Sequence, residues 1–538
     1  MIYSSSKSIL SYYALILLEK CRHLTQLMQL QAFLIAIGEG RSQFFAFKLV
    51  RFCTWTLADI SYARFIFDRV ESPNVFLCTA MITAYASQPQ FHRSAFIFYR
   101  DMLCRGRPRP DKFIYTQVLK SCPEAVACCG TNQVHSQIVR SGFGQCPVVQ
   151  TSLVDSYSRF CASHMGIARQ VFDEMSEKSV ACWTALISGY SRSGQIGDAM
   201  SVFDEMPVSD TPSWNAVISG CTQNGLFFEA ISLFKSMLLH RIGDVHGCNL
   251  PNHITLACVL SSCAHIGMLQ LGRCIHGYVY RNGFGLDMFT LSSLVDMYGK
   301  CGNMKTAEAV FSTAPSKDLA MWNSMIHCLG MHGKCGSAIS VFEEMLECED
   351  DIKPNELTFL GLLIACTHGG LVDKGRFFFK LMSTAYGIVP GIEHYGCLID
   401  LLVRAGQLDE AMDVVNRMTV EPDVVVWGSL LNGCKIHGRT DLAENAVKKL
   451  VEMDPDNGGY GMMLANVYVE LGKWDESRNV RKDLKEQNSY KTLGCSWVEV
   501  DNQFHGFSAL DRAHPRNEEI YHMLETTAKA VGVISTAR

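Results

Sequence analysis

The sequence predicts an all-α protein, a solenoid of stacked helix-turn-helix units followed by a small C-terminal extension that contains a β-hairpin. Three observations predict it. The stretch "SWNAVISGCTQNGLFFEAISLFKSM" (Ser213–Met237) is nearly rewritten as "MWNSMIHCLGMHGKCGSAISVFEEM" (Met321–Met345). The closing half of the first copy places Ala230, Leu233, Phe234 and Met237 at i, i+3, i+4 and i+7, one stripe of a helix. The same offsets recur at Ala168, Val171, Phe172 and Met175, at Ala199, Val202, Phe203 and Met206, and at Ala338, Val341, Phe342 and Met345. Lastly, unlike units alternate in a fixed order: "VLKSC" (Val118–Cys122) and "VLSSC" (Val259–Cys263) lie 141 residues apart, as do "SLVDSY" (Ser152–Tyr157) and "SLVDMY" (Ser293–Tyr298).

Within a unit the opening half is a helix of its own. In "SWNAVISGCTQNG" the apolar Trp214, Val217 and Ile218 keep helical spacing, and Asn224-Gly225 supplies the stop and the turn. Neither helix buries its apolar face alone, so the units must stack. Laid end to end they run Gln43–Asn74, Val75–Asp111, Lys112–Cys146, Pro147–Ser179, Val180–Asp210, Thr211–Asn252, His253–Asp287, Met288–Asp318, Leu319–Asn355, Glu356–Gly391 and Ile392–Asp423. Three lengths alternate, with the shortest seen in the 31 residues from Trp183 to Trp214. The excess in Thr211–Asn252 falls in "LLHRIGDVHGCNL", which reads as a loop insertion. A degenerate unit, "LLEKCRHLTQLMQLQAFLIAIG", comes before them at residues 17–42.

Composition narrows the function. A length of 538 residues would ordinarily mean three or four domains, but a solenoid grows by adding units and overrides that count. No uninterrupted apolar run approaches the roughly 18 residues of a membrane helix, so no membrane span is expected. The formal charge of −5 is neutral evidence, because a long surface can sort its basic residues from its acidic ones. The 23 cysteines contain no C-x-x-C, which removes the usual structural zinc and dithiol signatures and leaves them as small buried hydrophobes in a reducing compartment. The N-terminal residues 1–16 are rich in serine and free of acids, the composition of a transit segment for an organelle, the mitochondrion ahead of the chloroplast.

The alternating pattern over residues 17 to about 525 resembles the plant pentatricopeptide repeat (PPR) proteins, in the PLS subclass whose ordinary, long and short repeats alternate. A tetratricopeptide array, with its 34-residue unit, would not alternate between about 31 and 35. The resemblance implies a right-handed superhelix that binds single-stranded RNA, each P or S repeat reading one base with its fifth and last residues. Modular readers of this kind meet each splayed base with two or three side chains. Carried over by position, Thr79 with Asp111, Thr184 with Asp210 and Ser292 with Asp318 are guanine readers. Asn215 with Asn252 and Asn323 with Asn355 are cytosine-preferring. Thr151 with Ser179 is uninformative, Phe47 with Asn74 is no reader, and Gly396 with Asp423 lacks a fifth side chain. The long repeats, with Thr116 and Cys146, Ala257 and Asp287, and Leu360 and Gly391, are expected to contribute little.

After Asp423 come two more helix pairs, then "GCSWVEVDNQFHGF", which alternates about Asp501-Asn502 as a hairpin does. These match the family's E extension (residues 424–493) and E+ extension (494–538). Longer relatives continue into a zinc-dependent cytidine deaminase, which needs H-x-E and C-x-x-C to hold the metal and move the proton. None of the 17 histidines is followed two positions later by Glu. No enzyme activity, metal or cofactor is therefore expected, and His505, His514 and His522 read as surface or packing residues. The resemblance implies a specificity factor for C-to-U RNA editing in an organelle, whose extensions recruit a deaminase-bearing PPR protein and other editing factors in trans. Stabilisation, end-processing or intron splicing of an organellar transcript is the alternative.

Overall fold

The computed structural model describes residues 2–106, 108–122, 127–160, 164–240, 250–285, 287–348, 352–454, 458–470, 472–486, 495–500, 503–508 and 514–530. Among them the chain forms 29 α-helices and two strands, and it divides into two compact units, Met1–Pro251 and Asn252–Arg538. Each unit is an α-solenoid of helix hairpins. No helix of the described residues is long and apolar enough to cross a membrane.

Every repeat opens on the first residue of a helix. In the N-terminal unit these first helices are Gln43–Trp55, Val75–Ala86, Lys112–Lys120, Pro147–Phe160, Val180–Arg192 and Thr211–Gln223. In the C-terminal unit they are His253–Ile266, Met288–Lys300, Leu319–Met331, Glu356–Gly369, Ile392–Arg404 and Val424–His437. Within each unit a first helix packs on its own second helix and on the first helix of the next repeat, so the first helices form a continuous row.

Local chemistry explains the boundaries. Asn74, Asp111, Ser179 and Asp210 in one unit, and Asn252, Asp287, Asp318, Asn355 and Asp423 in the other, are the N-caps of the helices that follow them. Each side chain accepts a backbone N–H that the helix leaves without an internal partner. At the other end Asn224 caps Thr211–Gln223 and Gly225 turns the chain with φ +76°, a value that costs a residue with a Cβ far more than glycine.

Repeats lock together through the two stripes. Trp183 and Trp214 stand edge-on to Phe172 and Phe203 of the preceding second helix, each with ring centroids 4.7 Å apart, and Trp322 meets Phe311 in the same way at 5.1 Å. Edge-to-face pairs add to the burial of the two rings. Ala168, Ala199, Ala230 and Ala338 are fully buried, as the stripes require. In Pro147–Ser179 and Val180–Asp210, however, the second helices stop at Asp173 and Asp204, so Met175 and Met206 pack from the turn beyond. Their N–H groups bond to Phe172 and Phe203, three residues back, a tightened last turn.

Two further expectations are revised. The second helix Phe227–His240 includes Leu238 to His240, so the insertion begins after them, and residues 241–249 lie outside the described set. A single helix, Ile2–Lys20, runs across the division between residues 16 and 17, with Ala14 and Leu18 buried four residues apart on one face, and packs on Leu24–Ala36.

Past the repeats the helices Val424–His437 and Thr440–Met453, then Gly458–Glu470 and Trp474–Glu486, pair as two more hairpins. Strands Cys495–Val500 and Gln503–Ser508 pair antiparallel, with Val500 opposite Gln503 and Val498 opposite His505, followed by the helix Asn517–Ala530. The register matches the alternation about Asp501-Asn502, although these two residues lie outside the described set.

The 18 cysteines whose side chains are described form no disulfide among themselves, and ten of them are buried. Burial pushes the thiols of Cys53 and Cys328 up to about 12, which keeps them protonated and inert.

Candidate nucleic-acid interface

The last residue of each repeat is a helix N-cap, and that fixes how its side chain can face a ligand. Oδ1 of Asp111 accepts from Ile114 N (2.9 Å), Oδ1 of Asp210 from Ser213 N (2.9 Å), and Oδ1 of Asp423 from Val426 N (2.9 Å). One carboxylate oxygen is thereby tied to the helix, and Oδ2 remains to accept from outside. Ser179 caps with its hydroxyl, accepting from Cys182 N at 3.3 Å.

The fifth residue stands one turn into the first helix of its own repeat, the helix before the one that its partner caps. Thr79, Thr151 and Thr184 donate their hydroxyls to the carbonyls of Val75, Pro147 and Val180, four residues back. This fixes each hydroxyl proton and leaves the oxygen lone pairs free to accept.

Two of the five code pairs meet directly. Ser292 Oγ donates to Met288 O (2.9 Å) and approaches Asp318 Oδ1 at 3.3 Å, the same oxygen that caps Met321 N. Asn323 Nδ2 donates to Asn355 Oδ1 (3.0 Å), while Thr358 Oγ1 donates to Asn323 Oδ1 (2.6 Å). Asn215 is buried and belongs to the N-terminal unit, whereas Asn252, in a capping box with Thr255, belongs to the other unit and is described with it.

In the long repeats the fifth position turns away from this role. Thr116 is buried and donates to Phe113 O, and Ala257 is buried. Gly391 has no capping side chain. His394 takes over, accepting from Gly391 N at 3.1 Å, while its Nε2 meets Glu356 O at 2.9 Å.

One feature escaped the sequence reading. The second residue of many first helices is a large apolar side chain turned to solvent: Phe44, Phe76 (71% exposed), Phe113 and Val148 in one unit, and Ile254, Phe289 (54%), Leu357 and Val425 (67%) in the other. The signal was present, because an apolar residue directly after the cap plus one position lies off the buried stripe. These residues flank the cap and the fifth residue, so pairs such as Thr79–Asp111, Ser292–Asp318 and Asn323–Asn355 sit beside an apolar platform of the kind on which bases stack.

In the extension, His505 and His514, read as surface or packing residues, are both half-buried and brought together, with Nδ1 and Nε2 at 2.9 Å. His522 is exposed, and its carbonyl accepts from Thr526.

A family model of the PPR repeat matches residues 181–210, 212–242, 289–318, 320–349 and 393–421, and a model of the E motif matches 437–499. The chain is 51% identical to the pentatricopeptide repeat-containing protein At1g33350 of Arabidopsis thaliana, over 97% of this chain and 96% of that protein. It is 39% identical to the putative pentatricopeptide repeat-containing protein At5g59200, chloroplastic, from the same plant (94% and 90%). It is 34% identical to At1g59720, chloroplastic/mitochondrial (95% and 75%). Among solved structures it is similar to maize PPR10 in complex with an 18-nucleotide RNA element, at 14% identity and a TM-score of 0.42 over 91% of this chain and 83% of that one. With identity of this degree along almost the full length of both chains, and an E motif after the repeats, the chain belongs to the pentatricopeptide repeat proteins of plants.

Proposed function

We propose that this protein is a sequence-specific binder of single-stranded organellar RNA that marks sites for C-to-U editing and recruits a deaminase in trans through its C-terminal extension. The observation that carries the reading is the meeting of fifth and last side chains at Ser292–Asp318 and Asn323–Asn355. Bases splayed along the row of first helices would stack on the exposed apolar residues and present their edges to these pairs.

The chemistry of the pairs supports the assigned bases. An aspartate with one oxygen on the helix offers the other to the N1–H and N2–H donors of guanine, as in Thr79–Asp111, Thr184–Asp210 and Ser292–Asp318. In the asparagine pair the two side-chain oxygens are engaged with Nδ2 and Thr358, so what remains on offer is amide N–H, which suits the N3 and O2 acceptors of cytosine. Asp423, and Thr151 with Ser179, complete the row of proposed contacts, and no cofactor or metal takes part.

The repeat array, residues 43–423, would choose the site, and the extensions at 424–493 and 494–538 would recruit the partner. With the last short repeat four nucleotides upstream of the edited base, the target carries G at −13, G at −10, C at −9, G at −7 and C at −6. The N-terminal composition fits an organelle, with the mitochondrion preferred to the chloroplast. Sequencing of both organelle transcriptomes from plants lacking the gene tests the reading. Loss of editing at one or a few cytidines with that upstream pattern supports it. Intact editing together with loss of one intron's removal or one transcript's defined end would replace editing with splicing or stabilisation.

A further inference from the structure

The last helix hairpin of the extension keeps a packing device of the repeats but not the neighbour on which it closes. In the repeats, two side chains five residues apart bracket a hairpin turn and meet a glycine of the next first helix. Ser191 and Ile196, on either side of the turn at Gly194, meet Gly220, and Val403 and Leu408, about Gly406, meet Gly433. A Cβ on Gly220 or Gly433 would strike the first member of its pair. Val469 and Trp474 stand at the same spacing about Gly472, whose left-handed φ of +74° matches the +77° and +78° of Gly194 and Gly406. Ile196 and Leu408 are 5% and 2% exposed, whereas Trp474, in the same place, is 63% exposed. Among the described residues its helix, Trp474–Glu486, packs extensively only on Gly458–Glu470.

A cavity of about 470 Å³ results, floored by Val469, Trp474 and the buried Ser477 and rimmed by Arg478, Arg481 and Lys482. Arg481 Nη2 donates to Asn466 Oδ1 at 3.3 Å, which holds one guanidinium at the rim, and Asp475 reaches Arg478 only at 3.7 Å, with both side chains exposed. A solenoid end that faces nothing but water carries a polar outer face. Here an indole and a valine occupy the stacking position under three cations, which suits a further helix with acids to meet the rim.

We propose that this end face docks one helix of a partner protein, an acidic helix that presents a glycine to Val469 and Trp474 and so takes the place of the next first helix. The inference deepens the recruitment in trans proposed above and rests on it. Val469 and Trp474 are together bulkier than Val403 and Leu408, so a side chain at the point of contact would hold the helices apart. Neither the first helix, Ile2–Lys20, nor the last, Asn517–Ala530, contains glycine, so neither a second copy stacked head to tail nor the extension's own helix satisfies this requirement.

The test is fluorescence anisotropy of the full-length protein with a labelled, lactam-bridged helical peptide that carries glutamates beside a central glycine. Two control peptides replace the glycine by leucine or the glutamates by lysines. The glycine peptide is expected to bind about tenfold more tightly than the leucine peptide, the worth of one overpacked contact, and the lysine peptide is expected not to bind. Trp474→Lys is expected to keep the melting temperature and the affinity for an RNA that matches the five code pairs, and to weaken the glycine peptide to the level of the leucine one. Should Trp474→Lys fail to reach the wild-type melting temperature, Arg478→Glu decides, with the glutamate peptide expected to lose affinity. No peptide binding, equal binding of the glycine and leucine peptides, or no effect of these substitutions overturns the proposal. Loss of RNA affinity in a stably folded Trp474→Lys also overturns it and gives the face to RNA. If the peptide binds as expected while plants lacking the gene edit normally, the face stands and recruitment serves another step; if the peptide fails while those plants lose editing, recruitment stands and this face is not its seat.

Discussion

Asn323 and Asn355, 32 residues apart, share a hydrogen bond of 3.0 Å, and its acceptor, Asn355 Oδ1, is also the cap of the next helix, taking Thr358 N at 3.2 Å. One atom therefore serves the fold and, in the proposed reading, also holds the recognition pair together. The two roles separate by substitution. Asn355→Ala removes the cap and is expected to cost about 1 kcal/mol of stability. Asn355→Asp keeps an oxygen for Thr358 N, so the melting temperature is expected to hold while preference for C at −6 disappears. Thermal melts and binding to RNAs varied at −6 check both.

Phe289 is exposed and packs in no core, so Phe289→Ala is expected to leave the melting temperature within about 1 °C and weaken RNA binding by about tenfold, the worth of one stacked base. Trp322→Ala, by contrast, removes a buried ring that meets Phe311 and is expected to destabilise by about 3–5 kcal/mol. Parallel melts and binding curves on the two variants distinguish a platform residue from a core residue.

Close approach of repeats is tested at Gly220. A Cβ there would lie 2.2 Å from Ser191 Oγ and 2.6 Å from Ser191 Cβ, so Gly220→Ala is expected to push the first helices of adjacent repeats apart and cost about 1–3 kcal/mol. Gly396→Ala, in open space, is expected to be neutral or slightly stabilising through its helix propensity. Denaturant melts that rank the two in the opposite order would contradict this packing.

The fold also sets a pH dependence. His135 Nδ1 meets Tyr157 Oη at 3.0 Å and His276 Nδ1 meets Tyr298 Oη at 2.8 Å, two copies of one contact separated by the 141-residue offset. Burial lowers the pKa of both imidazoles. A histidine depressed in the folded state binds fewer protons there than in the unfolded chain, so its contribution is complete above about pH 6.5 and is lost as pH falls through the folded value. The melting temperature is expected to drop on acidification below about pH 6.5. His276→Gln, which keeps a polar group toward Tyr298 without titrating, is expected to shallow that drop; an unchanged slope would assign the acid sensitivity elsewhere.

Much of this was readable because it is local. Helix starts follow from a capping residue and an apolar stripe, so the first residue of each repeat read from the sequence coincides with the first residue of a helix, and the hairpin register follows from the alternation on either side of Asp501-Asn502. The helix ends were less legible. Met175 and Met206 keep the spacing of the stripe yet pack from a turn, because burial constrains where a side chain arrives and not the backbone that carries it there.

What the sequence by itself determined is the repeat and where its helices begin, since each depends on residues a few places apart and on spacing that recurs; the paired positions come with the family resemblance. The tertiary structure decided which of those positions touch. Ser292 reaches Asp318 and Asn323 reaches Asn355 only because neighbouring first helices pack side by side. The exposed row from Phe44 to Val148 in one unit, the row from Ile254 to Val425 in the other, and the cavity between Gly396 and Gly428 likewise exist only between repeats. A missing side chain is silent in one repeat; it becomes a space when the next helix is set against it.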